Sequence, residues 1–158
     1  MKQNDPNLQI SVLDRLVDHE PGVSHEPVQY RLLGIRQIKA LVIRDLENLL
    51  NARRQISPVP VSYKEVHKSV FMYGLGDFTS ENPKSPSVRQ RLRQDIEKTL
   101  ARFEPRLRNV AVHLEEDKEK GRNLRFRITG LLIVEPETEP VSFDTVFDTN
   151  RGEYVIQK

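Results

Sequence analysis

The chain contains no cysteine, and the residue types that could first suggest chemistry are four histidines, scattered carboxylates and hydroxyls. His19, His25, His67 and His113 stand in separate contexts, without the His-x-x-x-His or Cys-x-x-Cys spacing that turns ligands toward one ion. The sequence predicts no metal site and no cofactor. Acyl transfer would need an activated nucleophile, and there is neither a Gly-x-Ser-x-Gly elbow nor a serine in a strand-to-helix turn. Gly74-Leu75-Gly76 lacks the third glycine of a dinucleotide-binding loop and reads as a turn. Glycoside hydrolysis requires two carboxylates across a sugar-sized cleft, one with a raised pKa. Glu104, Glu115, Asp144 and Asp148 are candidates by residue type, but Arg106 follows Glu104 closely and no tryptophan is present to make a sugar platform. A peptidoglycan-degrading, lysozyme-like enzyme is one alternative on these residues. The other is a weakly basic nucleic-acid-binding module, with basic runs at 89–93 and 122–127 that carry no stacking-aromatic pattern.

Composition narrows the classes further. A chain of 158 residues fits one domain and can bury about 70% of the surface its unfolded form exposes. The 25 basic and 23 acidic side chains nearly cancel, so the net charge of +2 sets up no strong field for phosphate. Charged residues make up 30% of the chain, which leaves room for wet, partner-facing surfaces. Without cysteine there is no disulfide framework, in keeping with a reducing, cytoplasmic setting. No apolar h-region follows Met1-Lys2-Gln3-Asn4-Asp5-Pro6, and no segment approaches the roughly 20 apolar residues needed to span a bilayer.

The elements that would position a site fall into two halves. Leu8, Val12, Leu13, Leu16 and Val17 predict a short helix within Asn7–Asp18, and Glu20–Pro27 breaks into a loop. From about Tyr30 to Arg53, Leu32, Ile35, Ile38, Val42, Leu46, Leu49 and Leu50 recur at helical steps. Arg36, Lys39, Asp45 and Glu47 lie mostly elsewhere around that helix, and Leu41 and Ile43 widen its apolar arc, as if it were covered on more than one side. Ser62-Tyr63-Lys64-Glu65 has the form of a capping box opening a short helix to about Phe71. Tyr73-Gly74-Leu75-Gly76-Asp77-Phe78 predicts a tight turn with two aromatics that must pack. Ser85-Pro86 then starts a helix whose core face is Val88, Leu92, Ile96, Leu100 and Phe103. Arg91, Asp95, Lys98 and Arg102, with Arg89, Arg93 and Glu97 beside them, predict a solvated ionic face.

Pro105 stops that helix, and beyond it the period changes from helical to two. Val110, Val112 and Leu114 alternate with polar neighbours; Glu116–Gly121 is a charged turn; Leu124, Phe126, Ile128, Leu132 and Val134 alternate again. Val141, Phe143, Thr145 and Phe147 form a third strand, and Glu153–Ile156 a last one. The fold class is α+β, with N-terminal helices packed on a C-terminal antiparallel β-meander of about four strands. As one domain over 1–158, residues 1–10 are expected to be flexible, 11–103 mainly helical and 107–157 the sheet. Leu131 and Ile133 are apolar on the face that should be polar if it saw water. With Val146 and Val155 they predict an outer face or edge covered by the chain's own loops or by a partner strand.

Several phrases, in order, resemble one family. These are Ser11-Val12-Leu13-Asp14-Arg15-Leu16, Leu49-Leu50-Asn51-Ala52-Arg53, Tyr73-Gly74-Leu75 with Asp77-Phe78, Phe103-Glu104-Pro105-Arg106-Leu107, Phe143-Asp144-Thr145 and Gly152-Glu153-Tyr154-Val155. Together the chain resembles the TssE family, the small baseplate wedge component of the bacterial type VI secretion system, which is also the family of a phage baseplate wedge protein long catalogued as a lysozyme. Gly76 stands where that family often has proline. The resemblance implies a non-enzymatic part of the baseplate at the cytoplasmic side of the inner membrane. Its implied partners are the wedge proteins TssF and TssG, TssK, and the sheath subunits TssB and TssC, and its implied action is to template sheath polymerisation by strand exchange. The residues expected to bind partners are Glu104, Pro105, Arg106, Tyr73 and Phe78.

Overall fold

The computed structural model describes residues 34–78, 80–82, 85–115, 124–134, 137–148 and 151–157, together with 16, 21 and 22. The helix expected within Asn7–Asp18, apart from Leu16, the loop around Pro21 and Gly22, and the charged turn Glu116–Gly121 lie outside the described residues. The apolar stripe at three- and four-residue steps forms α1, Ile35–Asn51, which buries Ile38, Val42, Leu46, Leu49 and Leu50. Gly34 precedes it in an extended conformation, and its N–H donates to Gln37 Oε1 at 3.0 Å. The helix ends at Asn51 rather than Arg53, because Ala52 turns extended and its carbonyl accepts from Leu75 N at 3.0 Å. Arg54 N donates in turn to Leu75 O at 2.8 Å, which makes a short parallel bridge between Arg53 and Leu75.

That bridge requires Gly74. Its φ is +96°, and a Cβ built there would lie 2.3 Å from Ala52 O, so a side chain would break the contact that ends α1. The capping box expected at Ser62 does not form. Helix α2, Lys64–Lys68, starts one residue later with Tyr63 as its cap, since Tyr63 N is held by Pro60 O and Lys64 N by Ser62 O. It gives way to a 3₁₀ turn, Val70–Met72, capped by the Ser69 hydroxyl.

Helix α3, Pro86–Phe103, carries proline in its first turn and buries Leu92, Ile96, Thr99 and Leu100. Its ionic residues divide: Arg91, Lys98 and Arg102 are exposed, as a solvated line would be, whereas Asp95 and Glu97 are engaged. Asp95 accepts from Arg54 Nη2 and from Gly76 N, both at 2.8 Å, and Glu97 accepts from Val112 N at 3.0 Å. Asp95 and Glu97 therefore tie α3 to the glycine loop on one side and to the sheet on the other.

Four strands follow in an antiparallel meander: β1, Leu107–Leu114; β2, Leu124–Val134; β3, Glu137–Asp148; and β4, Glu153–Gln157, in the order β1-β2-β3-β4. The core between sheet and helices is built from Val112, Phe126, Ile128, Leu132 and Phe143 against the stripes of α1 and α3. β1 departs from simple alternation. Leu107 pairs with Leu132, yet Val112 pairs with Ile128, so β1 holds one extra residue between Arg108 and Ala111. Asn109 absorbs this bulge at φ +52°, and Gly130 sits opposite, where a Cβ would lie 3.2 Å from Arg108 O. The bulge is why Leu107 and Val112, an odd number of residues apart, are both buried.

Both edge strands are met by side chains from the helices. On β4, Tyr154 N donates to Asn51 Oδ1 at 2.7 Å, Asn51 Nδ2 donates to Tyr154 O at 2.9 Å, and Ile156 N donates to Glu47 Oε1 at 3.0 Å. On β1, Glu97 takes Val112 N, and Arg89 Nη2 donates to Glu115 O just past the strand at 2.8 Å. Leu131, Ile133 and Val146 on the outer face are half-buried and Val155 is exposed.

Gly74→Ala is expected to lower the unfolding free energy by about 2–4 kcal/mol in urea titrations, from backbone strain plus collision with Ala52. Gly152→Ala, at φ +68° but in open space, should cost only about 1 kcal/mol. Equal losses would mean that Gly74 supplies only conformational freedom.

Candidate functional site

The end of α3 is where charge is buried. Phe103 is its last residue, Glu104 leaves the helix at φ −119°, ψ 80°, and Pro105 prevents another turn. Three main-chain hydrogen bonds fix this corner: Glu104 N donates to Leu100 O, Leu107 N to Glu104 O, and Ile133 N to Arg106 O. Glu104 is only 3% exposed. Its carboxylate is satisfied by the Arg106 guanidinium, whose Nε donates to Oε1 and Nη2 to Oε2, each at 2.6 Å, and by Arg106 N at 3.2 Å. The same Nη2 reaches Asp45 Oδ2 of α1 at 2.6 Å. Asp45 Oδ1 accepts in turn from Arg44 Nε and Nη2, at 3.0 and 2.7 Å.

The result is a chain of alternating charge, Glu104, Arg106, Asp45 and Arg44, running from the buried corner to the surface. The hydrogen bonds that Arg106 donates to Glu104 raise its pKa above that of an exposed arginine, against the opposing effect of burial. Tyr73 packs edge-on to Phe103, with ring centroids 5.4 Å apart. Burial, then the charges of Asp45 and Glu104, raise its hydroxyl pKa. Tyr73, Glu104, Pro105 and Arg106 thus converge, with Pro105 exposed.

Phe78 belongs elsewhere. It lines an apolar cleft of about 340 Å³ with Leu50, Leu75, Val88, Leu124 and Tyr154. Burial, reinforced by the charge of Asp95 and opposed by Arg53, pushes the Tyr154 hydroxyl up to about 12. The other acidic candidates are also engaged. Asp144 and Glu115 flank Arg127, at 2.5 and 3.4 Å. Asp148 accepts from Gly152 N through its main chain at 2.7 Å. Among the described residues no group of three His, Asp or Glu side chains is placed to hold a metal ion, and no helix is long and apolar enough to cross a membrane. Asp45 and Arg44 were not singled out by spacing. The available signal was that Asp45 lies three residues after Val42 and four before Leu49, inside the apolar arc rather than opposite it.

A family model described as "Baseplate wedge protein gp25" matches residues 36–137, which takes in α1, α3, the charged corner, β1 and β2. Among solved structures, one chain of "The baseplate complex from the type VI secretion system" aligns with a TM-score of 0.53 and 20% identity. The alignment covers 78% of this chain and 97% of that one, and at this identity it establishes a shared fold. No curated protein sequence matches.

Replacing Arg106 by Met should lower stability by about 3–5 kcal/mol in denaturant titrations, because it strands the Glu104 carboxylate in the interior. Asp45→Asn should cost about 1 kcal/mol, since both partners are a quarter exposed and Arg106 keeps Glu104. The reverse order would show that Asp45, not Glu104, is the anchor. Tyr154 predicts an alkaline transition. Its pKa in the folded state, about 12, exceeds the ordinary 10.0, so folding favours the neutral phenol. That contribution is complete below about pH 10 and is lost as pH rises through about 12. Unfolding followed across this range should lose the loss-of-stability step when Tyr154 is replaced by Phe.

Proposed function

The chain belongs to the baseplate wedge protein gp25 family, and on that premise we propose that it is a non-enzymatic structural component of a type VI secretion baseplate wedge. In this reading it works on the cytoplasmic side of the inner membrane, held by TssF and TssG with TssK toward the membrane. It links them to the sheath subunits TssB and TssC, and its sheet templates the first sheath ring by accepting an extended strand.

The observation that carries the structural role is the state of Glu104. Both carboxylate oxygens of Glu104 are committed to one guanidinium and the residue is buried, so it is held by the fold rather than turned toward a substrate. What the array does instead is hold α1, α3 and the start of β1 in one arrangement, with Pro105 displayed at the surface. A rigid corner of this kind suits a subunit that must present one surface to several neighbours.

The test is co-purification with tagged TssF and TssG, followed by sheath assembly from TssB and TssC. Glu104→Ala and Arg106→Ala should abolish assembly. Arg106→Lys, which keeps the charge but cannot fork to Glu104 and Asp45 together, should fold and still assemble poorly. Normal sheaths from a folded Arg106→Lys variant would reduce the corner to a device of internal stability. Release of peptidoglycan fragments by the purified protein, lost in Glu104→Gln, would overturn the non-enzymatic reading.

A further inference from the structure

Two apolar surfaces of this chain stand uncovered among the described residues. One is the cleft of about 340 Å³ between the end of α1, the start of α3 and the open end of the sheet. Phe78 and Val88 line it from the helical side and Leu124, Phe147 and Tyr154 from the strands, and all five are half-buried rather than packed. A benzene-sized group fits an apolar cavity of about 150 Å³, so the cleft has room for about two such side chains. The other surface is Leu16, which is helical and 76% exposed. In the sequence around it Leu8, Val12, Leu13 and Val17 complete an apolar stripe at helical spacing. A short helix of this kind owes most of its stability to packing of its apolar face.

Charge and reach match the two surfaces to each other. Asp14 and Asp18, four residues apart, border the stripe on one flank. The rim of the cleft carries Arg53 and Arg89, and among the described residues the Arg89 guanidinium donates to a neutral carbonyl, that of Glu115, so its charge is open to a carboxylate. Glu81, the acid on the same rim, is already held by Arg91. Sixteen residues lie between Val17 and Gly34, and extended they span about 50 Å. Helix α1, which leads from Gly34 to the cleft, has 17 residues and is only about 25 Å long. A segment tethered in this way meets the cleft at an effective concentration on the order of millimolar, which a separate chain would have to exceed.

We propose that residues 8–18 dock in this cleft as an amphipathic helix, with Leu13 and Leu16 as the inserted side chains and Asp14 and Asp18 toward Arg89. The occupant is thus the chain's own N-terminal segment. Docked there it covers Phe78, one of the residues that the resemblance marks for partner binding, and in the baseplate role proposed above a neighbour that uses Phe78 must first displace it.

The chain has no cysteine, so introduced thiols report on this contact without background. In the full chain, Val88→Cys should react with a charged thiol reagent about tenfold more slowly than the same cysteine beside Leu13→Asp and Leu16→Asp. Leu124→Cys should repeat that difference from the sheet side. Leu16→Cys combined with Val88→Cys should close a disulfide within one chain under mild oxidation, whereas Leu16→Cys combined with Lys98→Cys, on the exposed side of α3, should not. Equal labelling with and without the two aspartates would overturn the docking, at a fast rate because the cleft is open and at a slow rate because another part of the chain fills it. Disulfides that form only between two chains and vanish on dilution would assign the cleft to a second copy and overturn it as well. Protection that appears only when TssF and TssG are added would assign the cleft to a neighbour, overturning the contact within the chain while leaving the baseplate role intact.

Discussion

A carboxylate taken out of water is tolerated only when its charge and its lone pairs are met at once, and Glu104 imposes that condition on everything around it. Arg106 can meet it only if the chain reverses within two residues, so α3 must end at Phe103 and β1 must begin at Leu107. Once in place, the guanidinium has a donor left for Asp45, which fixes α1 beside the corner. Three elements are thus registered by one array of ions rather than by apolar contact, which would allow them to slide. The apolar core supplies most of the driving force, and the corner selects the arrangement in which that core closes.

Much of this architecture was legible from periodicity. The stripes Ile38, Val42, Leu46 and Leu92, Ile96, Leu100 are the buried faces of α1 and α3, and Phe126, Ile128, Leu132 with Val141, Phe143, Thr145 are those of β2 and β3. The helix-to-strand switch at Pro105 was equally plain. What periodicity misses is anything decided by a partner distant in sequence. Asp95 and Glu97 have the spacing of a surface ion line, yet their acceptors are claimed by Gly76, Arg54 and Val112. The bulge in β1 is hidden for a related reason: a period-two reading assumes that no residue is inserted, and nothing in Arg108-Asn109-Val110 signals that Leu107 must also face the core. Of the candidate site, Glu104, Arg106 and Tyr73 were grouped by resemblance, Asp45 was not, and Phe78 lies in a different cleft.

The sheet protects its edges in an economical manner, with helix side chains standing in for neighbouring strands. Each of Asn51, Glu47 and Glu97 satisfies an outward main-chain group that would otherwise invite another chain. Because each protects only its own position, pairing elsewhere along the meander depends on strand length alone. Among the described residues β4 accompanies β3 only along Asp144–Asp148, at the end of the outer face that carries Arg125, Arg127 and Asp144.

The ties between α1 and β4 join residues 103 and 109 positions apart in the chain. As the chain emerges from a ribosome, α1 is made before β4, and its Asn51 and Glu47 must stay hydrated until residues 153–157 appear. Closure of the fold is therefore a late event, of the non-local kind that slows folding and lengthens exposure of apolar surface. Until β4 pairs with β3 the polar side chains of α1 have no strand to meet, so this part of the fold is held open until long-range partners arrive.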